Sequence, residues 1–169
     1  MANPVIELDP VTHITAGAVG KPGHRTFYIQ AEKGLERVTL VCEKEQVQAL
    51  ADAVDEMVQN LETEFGLAKH EDLTVDEMAM LVKEPLDPLF RVGAMGLGYD
   101  ANRDRILLVA QEALPEDEER DPREARFFAT RSQMQVLSLH AREEVSKGRS
   151  PEQVVLQAEV RFRRNGHGE

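Results

Sequence analysis

The chain has no tryptophan, a single cysteine among its 169 residues, and only 5% aromatic residues. One cysteine excludes an internal disulfide and any cysteine-based zinc centre. No apolar run approaches the roughly 20 residues that span a bilayer, so no membrane partner is expected. The start, Met1-Ala2-Asn3-Pro4-Val5, lacks the basic and apolar regions of a signal peptide, which points to a cytoplasmic location. Basic residues are short as well: 20 Lys and Arg stand against 31 Asp and Glu, for a formal charge of −11. An acidic surface repels phosphate backbones, so nucleic acid is not expected as a partner. The remaining composition, 41% hydrophobic and 30% charged, is that of an ordinary globular chain, and the length fits one compact domain over 1–169.

Periodicity divides the chain. Ile14 to Val19 and Thr26 to Ala31 read as strands around Lys21-Pro22-Gly23-His24. Proline there is preset for the second turn position and glycine is free to take positive φ at the third, which is type II chemistry. Val38 to Cys42, nearly all apolar, reads as a buried strand. Val47, Leu50, Val54, Met57, Leu61 and Phe65 then fall at steps of three and four, giving an amphipathic helix over 44–65 stopped by Gly66. Thr74 with Glu77 makes a capping box for a connecting helix over about 74–84, ended by Pro85 and Pro88. Strand character returns at Leu89 to Leu97, Arg105 to Gln111 and Ala125 to Ala129, with an acidic loop at 115–122. Thr130 and Gln133 cap a last helix that carries Met134, Leu137, Ala141 and Val145 and ends at Gly148. Beyond it Val154, Leu156, Ala158, Val160 and Phe162 alternate with Gln157, Glu159 and Arg161, a period of two that favours a strand over 153–162. Ser150-Pro151-Glu152 is also compatible with the cap of a short helix.

The two halves resemble each other. Gly17-Ala18-Val19-Gly20 matches Gly93-Ala94-Met95-Gly96, and Gln46-Val47-Gln48-Ala49-Leu50 matches Gln133-Met134-Gln135-Val136-Leu137. The element order around both anchors is the same. The expectation is an α+β fold with antiparallel sheet built from two duplicated halves, about 5–66 and 89–148, each of three strands and a helix, related by a pseudo-two-fold.

The segment from Thr15 to Ala31, Gly17-x-x-Gly20-x-Pro22-Gly23-x-Arg25-x-Phe27-Tyr28-x-Gln30-Ala31, resembles the opening signature of the bacterial domain-of-unknown-function family numbered 3090. Glu43-Lys44-x-Gln46-Val47 and Phe90-Arg91-Val92-Gly93 fit the same pattern, and the resemblance runs from about Val5 to Gly148. It implies no activity, because that family has none established. Many members follow the last helix with a cysteine-rich tail like a zinc knuckle, closing on Arg-x-Asn-Gly-His. Here Arg163-Arg164-Asn165-Gly166-His167 fits the close, but Ser150 to Phe162 contains no cysteine. Zinc needs about four ligands, and His167 alone cannot supply them. The apolar alternation expected to form a strand falls where the resemblance implies a metal staple, which makes a structural role for such zinc the natural reading.

Chemistry-bearing residues are sparse. Gly17, Gly20 and Gly23 beside Lys21 and Arg25 offer backbone N–H groups to an anion. The segment nevertheless joins strand to strand, whereas phosphate loops open onto a helix, and hairpin geometry explains the glycines equally well. No two of the five histidines stand at i, i+4. His140 with Glu143 reads as a solvated surface pair. Cys42, in the most apolar strand, reads as a buried inert thiol. No serine lies in a Gly-x-Ser-x-Gly elbow. No catalytic residue, metal or cofactor is expected.

Two functions remain. The first is a non-enzymatic interaction or scaffold protein that binds a protein partner or itself, through an exposed apolar face on the 74–83 helix or the edge of the 154–162 strand. The second is a small anionic-ligand binder or enzyme, its site where the two Gly-x-x-Gly segments approach. His24, Arg25, Arg91 and Arg103, with Gly17, Gly20, Gly23, Gly93 and Gly96, would then form that site.

Overall fold

The structure, a computed structural model, describes residues 5–147 apart from residues 22 and 71. The 153–162 segment read above as a strand lies outside the described residues. The strands are β1 (Val5–Leu8), β2 (His13–Val19), β3 (Thr26–Lys33), β4 (Glu36–Cys42), β5 (Phe90–Asp100), β6 (Arg105–Glu112) and β7 (Glu124–Ala129). The helices are α1 (Lys44–Glu64), α2 (Glu77–Met80) and α3 (Arg131–Ser146).

Alternation sets the inner face of every strand. Ile14 and Ala16 of β2 stand opposite Ala31 and Ile29 of β3, and Ile29 stands opposite Leu40 of β4, all buried. In the second half Leu108 of β6 stands between Leu97 of β5 and Phe127 of β7. Against this face α1 buries Val47, Leu50, Val54, Val58 and Leu61, while α3 buries Met134, Leu137, Ala141 and Val145. Both helices begin on capping boxes, Glu43 with Gln46 and Thr130 with Gln133. Each box satisfies end N–H groups that would otherwise stay unpaired. The two glutamines do further matching work. Gln46 Nε2 donates to the carbonyls of Val92 and Gly93, and Gln133 Nε2 donates to those of Val11 and Thr12.

All seven strands form one sheet in the order β1-β7-β6-β5-β4-β3-β2. The expectation of an antiparallel sheet is corrected: the sheet is mixed, because β1 pairs parallel with β7 and β4 pairs parallel with β5. Both exceptions join strands that are remote in the chain. The long crossover through α1 and α2 returns the chain to the same end of the sheet, as a parallel neighbour requires. The sheet also curls. Val11 donates its N–H to Phe128 at 2.8 Å and the next residue, Thr12, donates to Glu32 at 2.7 Å. Two consecutive residues therefore bridge β7 and β3, near opposite ends of the strand order.

The connecting helix expected over 74–84 shrinks to the single turn of α2, capped by Asp76 rather than Thr74. Two causes end it. A residue before proline avoids the helical region, which disfavours Glu84. The sheet also captures the backbone ahead of it: Thr15 Oγ1 donates to Met80 at 2.6 Å, and the Gln30 amide accepts from Lys83 N–H at 2.9 Å and donates to its carbonyl at 3.0 Å. These contacts lay the 80–84 segment over the outer face of β2 and β3.

Candidate functional site

The glycine-rich turn is closed and braced. His24 N–H donates to the Lys21 carbonyl at 2.9 Å and Gly23 takes φ +86°, as a type II turn requires. Gly20 takes φ +115°, and a Cβ there would lie 2.5 Å from the His24 carbonyl oxygen. His24 is exposed. Arg25 turns away from the turn: it donates to the Lys147 carbonyl at 2.8 Å and to Glu144 at 3.3 Å, with its guanidinium over the Phe27 ring. A cation on the last carbonyls of α3 also complements the helix dipole.

Gly17 makes room for His140. A Cβ on Gly17 would lie 3.2 Å from His140 Nε2 and 3.5 Å from a methyl of Val82. His140 is not the surface partner of Glu143 that its spacing suggested. It is 1% exposed, its Nδ1 stands 2.8 Å from Glu77 and its Nε2 faces Glu144 at 3.7 Å without a hydrogen bond. The phase of α3 turns this face onto β2, and α2 brings the carboxylate of Glu77 over it. A carboxylate at Nδ1 assigns the ring proton to that nitrogen.

The other arginines named from the sequence are engaged separately. Arg91, exposed, pairs with Glu43 at 2.8 Å. Arg103 holds both oxygens of Asp9 at 2.8 and 3.0 Å and pairs with Asp100. Among the described residues, Arg25, Arg91 and Arg103 share no partner. The two Gly-x-x-Gly segments do not meet within the sheet: Gly17 lies in β2 and Gly93 in β5, with β3 and β4 between them. Gly93 sits at an irregularity in the β5–β6 register, where a Cβ would lie 3.0 Å from the backbone of Ala113. The acidic loop is exposed from Pro115 to Asp121 and is anchored at its base. Arg120 and Arg123 both bind Glu112, and these guanidinium groups hold its carboxyl well below the usual range.

Burial pushes the Cys42 thiol up to about 12, so it is no nucleophile in the fold. Among the described residues no three His, Cys, Asp or Glu side chains are placed to hold a metal ion, and no helix is long and apolar enough to cross a membrane.

The feature that stands open is strand β5. It has eleven residues, but β4 pairs only with its first part, Leu40 with Phe90 and Val41 with Arg91. Gln46 covers the next two carbonyls. From Ala94 to Asp100, no hydrogen bond among the described residues reaches the backbone on the side away from β6. Every second residue there directs its N–H and C=O outward. An apolar recess flanks this edge on each face of the sheet. On the inner face a cavity of about 210 Å³ lies between Ala49, Leu50 and Ala53 of α1 and Met95, Leu97 and Leu108. On the outer face a trough of about 360 Å³ runs over Ala94, Gly96 and Gly98, walled by Leu107 and Val109. A Cβ at Gly96 would meet nothing within 4 Å. Ala49 and Ala53 stand one turn apart on α1, exposed, so small side chains keep the inner recess open.

Sequence reasoning singled out Gly93 and Gly96 for an anion and missed Ala49, Ala53, Met95 and Leu97, which carry no reactive group. One signal was present. Small residues at 94, 96 and 98 alternate with Met95, Leu97 and Tyr99, which marks a strand bare on one side.

No curated protein and no solved structure matches this chain. A family model described as "Protein of unknown function (DUF3090)" matches residues 6–155, and the chain belongs to that family.

Proposed function

We propose that this protein is a non-enzymatic interaction module that binds an extended segment of a protein partner by adding it as a strand to β5. One observation carries the reading: the 94–100 edge, unpaired among the described residues, is flanked by an apolar recess on each side of the sheet. Strand addition draws affinity from main-chain hydrogen bonds and specificity from pockets for alternate side chains. Successive side chains of a strand point to opposite faces, so an added segment places one residue in the inner recess and its neighbour in the outer trough. The preferred partner segment is apolar, extended and free of proline at the pairing positions. The anionic-ligand reading has less support, because Arg25, Arg91 and Arg103 each already neutralise a carboxylate.

We further infer that the chain arose by duplication. Each half runs as three antiparallel strands and a helix, and β4 and β5 are parallel, as a two-fold about the axis of the curled sheet requires. Gln46 and Gln133 occupy the same helix position and reach two successive carbonyls in the other half.

The test is selection of binders from a library of displayed random peptides against the full chain, followed by backbone NMR. The expected result is enrichment of apolar segments whose binding shifts the amides of residues 94–100. Ala53→Trp, at an exposed position, fills the inner recess and removes that binding. Peptides that map elsewhere, or that bind Ala53→Trp undiminished, would overturn the reading.

A further inference from the structure

Resting on that reading, we propose that the partner segment is basic as well as apolar, with a Lys or Arg at each end of its apolar middle, on the face that turns toward α1. The helix that walls the inner recess carries the argument. Glu45, Ala49, Ala53 and Glu56 follow one another at steps of four, four and three, so they share one exposed stripe of α1. The two alanines line the recess, and a glutamate stands on either side of them. Among the described residues neither glutamate has an ion-pair partner, whereas Asp52 and Asp55 are both held by Arg142. The cations at the two ends of the open edge are already engaged, Arg91 by Glu43 and Arg103 by Asp9 and Asp100. The rim of the recess therefore keeps uncompensated negative charge.

Direction and spacing give the pattern. Gln46 reaches the carbonyls of Val92 and Gly93, and Ala49 and Ala53 lie beside Met95 and Leu97, so α1 sets out along β5 in the strand's own direction. Glu45 thus stands near the β4 end of the open edge and Glu56 toward the Asp100 end. Their separation along the helix axis is about 17 Å. Side chains on one face of a strand recur every second residue at about 3.3 Å per residue. Four or six residues, about 13 or 20 Å, match that separation within the reach of a long basic side chain. The side chains between the two cations on the same face are those that enter the recess. Its inner-facing pattern is basic, apolar, basic, with small or apolar residues toward the outer trough. Apolar burial supplies affinity, and charge sets which apolar segments are admitted and how fast.

Two synthetic peptides test the proposal on the full chain. They share one apolar middle, taken from the library selection, and carry either lysine or glutamate at both flanking positions. At low salt the lysine peptide should bind about tenfold more tightly than the glutamate peptide, from two exposed attractions against two exposed repulsions. The preference should shrink to about twofold or less at about 1 M salt, where the screening length is about 3 Å. It should shrink as far in Glu45→Gln/Glu56→Gln. Glu56→Lys leaves the first turn of α1 as it is and should abolish the preference, since one flank is then attracted and the other repelled whichever peptide is bound. Equal affinities of two peptides that both shift the amides of 94–100 would overturn the basic partner and leave the interaction edge standing. A preference undiminished in Glu56→Lys would do the same. Failure of every selected peptide to reach 94–100 overturns that edge itself, and this proposal with it.

Discussion

Arg25 and Glu144 stand 119 residues apart in the chain and meet at 3.3 Å, with side chains only 11% and 7% exposed. The pair fastens the end of α3 to the start of β3, and Lys147 and His140 face the same carboxylate. Removing Arg25 leaves the buried Glu144 carboxylate only the half-exposed ammonium of Lys147, at 3.3 Å, as a charge partner. Arg25→Ala should therefore destabilise the protein by about 2–4 kcal/mol in chemical denaturation, with Arg25→Lys between the two. An unchanged unfolding midpoint would return Arg25 to the anion-binding role its sequence context suggests.

Two glycines in strands separate packing from recognition. Gly17→Ala forces a methyl to 3.2 Å from a buried imidazole and should cost about 1–3 kcal/mol of stability. Gly96→Ala meets open space and should leave stability equal or raised by a few tenths of a kcal/mol, since glycine weakens a strand interior. Its methyl enters the outer trough, so peptide binding at β5 should fall. Denaturation midpoints and one binding isotherm per variant decide the matter. Equal losses of stability at the two positions would contradict the packing described.

Stability should decline with acid in two separate stages. Burial, then the charge of Lys83, lowers the pKa of His13, while Glu32 and a hydrogen bond with the Ala79 backbone oppose the shift. The fold therefore keeps this imidazole neutral, and its contribution is whole above the ordinary value near 6.5 and lost as pH falls from there through the folded value. Carboxylates act lower. Arg120 and Arg123 depress Glu112, and Arg131 with Tyr99 depresses Asp104, so their stabilisation is complete above about pH 4.5 and drains away below it. Urea midpoints between pH 4 and 8 should show the upper stage in the natural protein and not in His13→Gln. A flat profile from 7 to 5 in the natural protein would contradict the half-buried setting of His13 beside Lys83.

Cys42 gives a probe of global unfolding. A thiol raised to about 12 and buried in the core should not react with a disulfide reagent at neutral pH while the protein is folded. One equivalent should react on full denaturation. Fast labelling of the native protein would show that β4 opens well below the global unfolding free energy.

Helices α1 and α3 were legible because their signals are local. The apolar steps from Val47 to Leu61 and the Thr130–Gln133 cap locate α1 and α3 to within one or two residues. Strands β2 to β7 were legible in the same way, while Val5–Leu8 carried too few residues to show a period. Which strands pair was not legible. Alternation says that β4 and β5 each have a buried face, yet their parallel pairing depends on where a long crossover returns the chain. The fate of residues 80–84 depended on Gln30, some fifty positions earlier, whose amide competes with helix formation for the Lys83 backbone. The β5 edge was illegible for the same reason: it exists because β4 stops at Cys42 while β5 continues, a difference in length that only pairing reveals.

The bridge at Val11 and Thr12 bears on what β5 can admit. A sheet held at both ends by consecutive peptides resists flattening, much as a hoop resists being uncoiled when its clasp is shut. Arg103, gripping Asp9 from the β5–β6 turn, reinforces that clasp. On the proposed reading, a segment added beside β5 would meet a sheet whose twist this clasp already holds, so that reading expects short, strongly twisted partner segments in preference to long flat ones.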